Sequence, residues 1–159
     1  MDAQTVLAII GLLERDAIAV WIDGGWGVDA LVGRELREHD DLDLIAELRH
    51  SKRIVELLNG LGYELVDGRP PQSFVLVDAS GRQVDIHPVA FDVAGGGVYE
   101  MRDGNTWTYA GQGFTGRGTL AGRPVRCLSP QVQLLVHAGY ELTDKDYEEL
   151  RILREELGA

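Results

Sequence analysis

With 159 residues, 45% of them hydrophobic and 26% charged, the chain is long enough for one packed core and short for two. Its 15 basic and 26 acidic residues leave a formal charge of −11, a surface that repels DNA and RNA and attracts a cationic small molecule. No apolar run reaches the roughly 20 residues of a membrane span, no basic region precedes the first apolar stretch after Asp2, and the single cysteine, Cys127, excludes a disulfide framework and a cysteine-rich zinc site. A cytoplasmic protein is the expectation.

Val6, Leu7, Ile9, Ile10 and Leu13 recur at helical spacing and predict an amphipathic helix over residues 4–15. Ile18 to Ile22 is a short β-rich run that stops at Asp23-Gly24-Gly25, where glycines allow a sharp turn. A short helix over Trp26 to Val32 ends at Gly33. Leu42, Leu44 and Ile45 mark a second strand, and residues 50–60 a helix closed by Gly62. Three strands follow, Tyr63–Val66, Phe74–Val77 and Gln83–His87, with Ala79-Ser80-Gly81-Arg82 as a hairpin turn. The glycine-rich stretch from about 92 to 120 predicts loops with short strands. A strand over Arg123–Cys127 precedes a helix that starts at Ser129-Pro130 and runs to about Leu142. Thr143-Asp144-Lys145-Asp146 fits a capping box opening a last helix through Glu156. The order of elements predicts one α+β domain, a mixed sheet with helices on one face.

The chemistry concentrates in two stretches, Trp21 to Asp29 and Arg37 to Leu44. A strand feeding Gly24-Gly25 and a helix presents backbone N–H groups to which phosphates bind, although an ordinary tight turn has the same sequence. Asp41 and Asp43 are two apart on a strand, so their carboxylates share a face and repel unless a cation lies between them. Mg²⁺ takes carboxylate and phosphate oxygens together; solvated surface acids are the rival reading. Asp85, flanked by Val84 and Ile86, is a third acid able to complete a metal site or accept a proton.

Gly-Gly, an interval of about fifteen residues, Asp-Leu-Asp on a strand and a later strand aspartate resemble the polymerase-beta-type nucleotidyltransferase superfamily. Ile22 to Leu31, Arg37-Glu38-His39 and Asp41-Leu42-Asp43 resemble the small lincosamide nucleotidyltransferases and aminoglycoside 2″-nucleotidyltransferases. Gly122 to Cys127, His137 to Tyr140 and Asp144 to Asp146 extend the likeness over most of the chain. The resemblance implies a minimal nucleotidyltransferase fold, with a core over about residues 1–90 and a C-terminal strand and helical cap over about 91–159. It implies Mg²⁺ on Asp41 and Asp43, with Asp85 as metal ligand, catalytic base or both. Gly24 and Gly25 would contact the triphosphate of ATP or another NTP. Arg37 would clamp phosphate, a surface ion pair being the alternative. His39 would contact nucleotide or orient an aspartate, or serve structurally.

His87 and Tyr140 are the candidate acceptor contacts. Lys145, in a first helical turn, is expected to be solvated, and Asp29 to cap or to pair with an arginine. The implied acceptor is a hydroxyl of a basic antibiotic, lincosamide first and aminoglycoside second; whether a homodimer completes the pocket stays open. The alternative function is a nucleotidyltransferase-fold module that binds or modifies a partner protein, like an antitoxin. Gly111-Gln-Gly113-Phe-Thr-Gly116 fits the dinucleotide fingerprint, but the residues after it cannot sustain a helix, so that reading is rejected. Cys127 is expected to be a buried structural thiol.

Overall fold

Asp2 caps the first helix, α1 (Ala3–Arg15), by accepting from the Thr5 N–H at 2.7 Å. The apolar stripe foreseen on α1 is buried against the sheet. The structure, a computed structural model, describes residues 1–137 and 144–158, apart from the side chains at 136, 137, 144–146 and 148–149. Tyr140, the stretch to Leu142, Thr143 and the side chains of His137 and Lys145 lie outside the described residues.

Strand β1 (Val20–Ile22) runs antiparallel to β2 (Asp41–Glu47), with α2 (Gly24–Val32) between them. A short 3-10 turn and α3 (Ser51–Asn59) lead to the β3 (Glu64–Gly68) and β4 (Phe74–Val77) hairpin, then to β5 (Gln83–Phe91). The turn into β5 closes as expected: Gly81 has φ +80°, and the Asp78 carboxylate accepts from the Ser80 and Arg82 N–H groups. β5 enters the sheet parallel to β2, giving the order β1-β2-β5-β4-β3, with β6 (Gly97–Glu100) and β7 (Thr106–Tyr109) added along the second half of β5. The sheet is therefore mixed.

Alternation along β2 and β5 divides their side chains between two faces. Leu42, Leu44, Ala46, Val84 and Ile86 meet α1 and the Ile54 and Leu58 side chains of α3 in the main core. This is the helical layer that the element order called for. Ile45 and Val89 point the other way, into a smaller cluster with Tyr109, Phe114 and Val132. Asp41, Asp43, Asp85 and His87 have the same parity as Ile45 and Val89, so they share that second face.

Gly111–Thr115 is a 3-10 turn followed by a strand, β8 (Arg117–Leu120), which agrees with rejecting the dinucleotide motif. β8 pairs with β9 (Arg123–Arg126), and Cys127, next in the chain, is fully buried and bridges to Ile22. Helices α4 (Pro130–His137) and α5 (Asp144–Leu157) end the chain. α4 begins at the expected proline, but the Ser129 hydroxyl has no hydrogen-bond partner among the described residues; its carbonyl accepts from Val132 and Gln133 instead. No helix among the described residues is long and apolar enough to cross a membrane.

Candidate active site

The parallel register sets Asp43 beside Asp85 and Asp41 beside Gln83. Two strands distant by some forty residues thus deliver three carboxylates to one patch of one face. Burial and the neighbouring Asp43 charge push the Asp85 carboxyl up to about 6, and the same two causes raise Asp41. Gln83 donates its side-chain amide to both Asp85 oxygens, at 3.1 and 3.2 Å, and holds that carboxylate in place. His87 Nε2 lies 3.3 Å from Asp43 Oδ1. Burial works against a charged His87 ring, but the Asp43 hydrogen bond and the charges of Asp43, Asp23 and Asp85 outweigh it and raise its pKa.

Gly24 and Gly25 are not a free turn. They are the first two residues of α2, started by Asp23, whose carboxylate accepts from the Gly24 N–H at 2.8 Å. Gly24 is left-handed (φ +59°), and a Cβ there would lie 2.4 Å from Asp43 Oδ2. A Cβ on Gly25 would lie 2.4 Å from the His39 ring and 2.8 Å from an Arg37 guanidinium nitrogen. The glycines therefore let the start of α2 close onto the acids and onto the segment that precedes them.

That segment is fixed from below. His39 Nε2 is 2.6 Å from Asp29 Oδ2, with both side chains buried, and Asp29 also accepts from the Leu36 N–H. Asp29 thus pairs with a histidine, where an arginine or a cap was expected. The ring of Trp26 stacks at a tilt on His39, and the Met1 amino group donates to the His39 carbonyl. Arg37 is half-buried, near enough to Asp41 for its charge to lower that carboxyl's pKa against the larger upward causes.

Among the described residues, no three His, Cys, Asp or Glu side chains already close around one point as a metal cage. The strands supply instead a row of carboxylates whose mutual repulsion a divalent cation would relieve, a donor set of the hard-oxygen type that Mg²⁺ prefers.

Residues 5–153 match the family model described as aminoglycoside-2″-adenylyltransferase. The chain belongs to this family. It is 30% identical over 146 residues to a lincosamide resistance protein of Staphylococcus haemolyticus, covering 92% of this chain and 90% of that one. It is 35% identical over 136 residues to a 2″-aminoglycoside nucleotidyltransferase of Escherichia coli, covering 81% and 70%. The crystal structure of the lincosamide antibiotic adenylyltransferase LnuA with lincomycin bound superposes with a TM-score of 0.84 at 29% identity over 96% of each chain. ANT(2″)-Ia in complex with adenylyl-2″-tobramycin shares the fold, with a TM-score of 0.77 at 22% identity, covering 98% of this chain and 89% of that one. These relatives are antibiotic nucleotidyltransferases, and membership places this chain among enzymes of that kind.

Asp41, Asp43, Asp85, His87, Gly24, Gly25 and Arg37 come together within this family frame. His39 stands one layer behind them. Motif reading missed Asp23, Gln83, Ser73, Tyr99 and Arg102. Asp23 carried a signal, an acidic residue directly before a helix, and so did Gln83, two residues before Asp85 on the same strand, whereas Ser73, Tyr99 and Arg102 arrive through the pairing of β5 with its neighbours.

Proposed function

We propose that the chain transfers the nucleoside monophosphate of ATP, or of another NTP, to a hydroxyl of a small-molecule antibiotic, a lincosamide first and an aminoglycoside second. The observation that carries this reading is the pairing of Asp43 with Asp85 across parallel strands, with Asp41 on the same face. Asp41 and Asp43, with Asp85 beside them, would hold Mg²⁺. When bound, the ion neutralises phosphate charge and stabilises the entering and leaving oxygens.

The remaining work belongs to the chain's own groups. Asp85, whose proton affinity is raised by its surroundings, takes the proton of the acceptor hydroxyl as its oxygen attacks the α-phosphorus. The bond from that phosphorus to the bridging oxygen breaks, and pyrophosphate leaves with the bonding electrons. Gln83 fixes the orientation of Asp85, and His87 that of Asp43. The first turn of α2 and the Arg37 guanidinium receive the triphosphate.

Incubation of purified protein with NTPs, Mg²⁺ and a panel of lincosamides and aminoglycosides, read by mass spectrometry, tests the reading. An acceptor heavier by one nucleoside monophosphate is expected, with Asp43→Asn inactive. An unmodified panel, or full turnover by Asp43→Asn, rejects it.

A further inference from the structure

β5 changes its neighbour half-way along. On one edge β4 pairs with it as far as Phe74 opposite Ile86, and β6 takes over from Tyr99 opposite Val89. His87 and Pro88 fall between the two, and proline has no N–H to extend either ladder. The interruption opens a notch of about 290 Å³ whose lining includes Ser73, Asp85, His87, Tyr99 and Arg102. Asp85 and His87 connect it to the acids; the Tyr99 ring stands edge-on to His87, with centroids 5.3 Å apart.

Arg102, in the turn between β6 and β7, reaches back across this notch to the other hairpin. Its Nε donates to Ser73 Oγ at 3.0 Å, and its Nη1 pairs with Asp67 on β3. Asp67 is no part of the notch lining and its side chain is 63% exposed, so it pins the guanidinium from the solvent side. Asp85 is the one carboxylate in the lining, against one guanidinium and one imidazole. In a chain of net charge −11, this notch is no acidic trap.

We infer that Arg102 sets the charge class of the acceptor, admitting a hydroxyl-rich molecule with at most one ammonium group and turning away a polyamine. The inference rests on the nucleotidyl-transfer reading, which places the acceptor hydroxyl at Asp85. A polyamine entering there needs several oxygen acceptors for its ammonium groups, but the lining offers the Asp85 carboxylate alone beside a guanidinium whose counter-charge, Asp67, lies outside it, an unfavourable juxtaposition. A polyol instead finds donors: a guanidinium fork has five N–H groups, and its contacts with Ser73 and Asp67 leave Nη2 for a hydroxyl.

The test compares lincomycin, a hydroxyl-rich monoamine, with tobramycin, a polyamine, as acceptors for wild type, Arg102→Lys, Arg102→Ala and Arg102→Glu. Wild type and the Lys variant should favour lincomycin in kcat/KM. Arg102→Glu should move the ratio toward tobramycin by at least about tenfold, with the KM for ATP and the melting temperature nearly unchanged, and Arg102→Ala should fall between. Equal losses for both acceptors in the Ala and Glu variants would show a purely structural strap and overturn the inference, as would wild-type use of tobramycin on a par with lincomycin. Absence of turnover with either compound rejects nucleotidyl transfer to these acceptors, and calorimetric binding then decides separately for Arg102. A lincomycin preference reversed by Arg102→Glu supports it, and equal or absent binding overturns it.

Discussion

Asp43 and Asp85 stand side by side on parallel strands, and the second of these carboxylates is held against both burial and the charge of the first. Its folded-state pKa of about 6 lies above the ordinary value of 3.8, so the native protein binds this proton more tightly than the unfolded chain does. The resulting stability is fully present below the ordinary value and is lost as pH rises through about 6.

Asp85→Asn removes that dependence and keeps an oxygen for the Gln83 amide. In chelator at pH 8 the variant should be more stable than wild type by about 1–2 kcal/mol, allowing for partial solvent screening of the site. Turnover should meanwhile fall by at least about 10²-fold, as expected for loss of a placed base. Urea denaturation at pH 5 and pH 8 checks the sign. Identical pH slopes for the two proteins would remove Asp85 as the strained group.

Adjacent glycines should fail differently. Gly24→Ala combines a left-handed backbone with a Cβ 2.4 Å from Asp43 Oδ2. The backbone conformation costs about 1 kcal/mol, and the displaced carboxylate should lower turnover by about tenfold or more. Gly25→Ala has no such backbone penalty but drives a methyl into the buried His39 ring. Its main effect should be on stability, about 1–3 kcal/mol. Melting temperature set against kcat/KM for both variants separates these outcomes; matching profiles would contradict the different contacts assigned to the two positions.

The spacing of Asp41 and Asp43 was legible because strand alternation is local, and their shared face needed no tertiary information. The helix stripe Val6, Leu7, Ile9, Ile10 and Leu13 was legible for the same reason, and the family motifs named the fold. Asp85 was legible as a third acid, but its register opposite Asp43 was not, since β5 joins β2 in parallel only after a helix and a hairpin intervene. Ser73, Tyr99 and Arg102 reach the site through the edge of β5 that β4 and β6 share and have no motif of their own, whereas Gln83, two residues before Asp85 on one strand, lay within reach of the same alternation argument. Gly24-Gly25 read as a turn because glycine signals chain reversal; the Asp23 carboxylate on the Gly24 N–H makes the pair a helix start. The weak periodicity of residues 92–120 has a packing cause. A Cβ at Gly97 would meet Val89 at 2.3 Å, so β6 uses glycine where an ordinary strand has a side chain.

His39 and Asp29 form a buried pair beneath the acid-bearing strand, and both are nearly without solvent contact. Removing one partner leaves the other buried and unsatisfied. His39→Ala should therefore cost about 2–4 kcal/mol of unfolding free energy, and a double variant with Asp29→Ala should cost less than the two single losses together. Guanidinium denaturation of the four proteins supplies the double-mutant cycle. Additive losses would mean that the two side chains contribute independently.

Metal linkage is the prediction closest to the proposed chemistry. If Asp41, Asp43 and Asp85 repel one another in the absence of a cation, Mg²⁺ should stabilise the native protein by mass action, since the unfolded chain disperses the three acids. The gain should be larger at pH 8 than at pH 5, because protons and the cation compete for Asp85 and Asp41, whose affinities for protons are raised in the folded state. A concentration 100 times the dissociation constant corresponds to about 2.7 kcal/mol, enough to read as a melting shift of several degrees in a domain of this size. Asp43→Asn takes away the carboxylate paired with Asp85 and should abolish most of the Mg²⁺-dependent shift, leaving the metal-free melting temperature the same or higher. Thermal melts with and without Mg²⁺ at both pH values, in wild type and in Asp43→Asn, make the comparison without any need for turnover. An equal Mg²⁺ shift in both proteins would place the cation elsewhere and separate these acids from the metal.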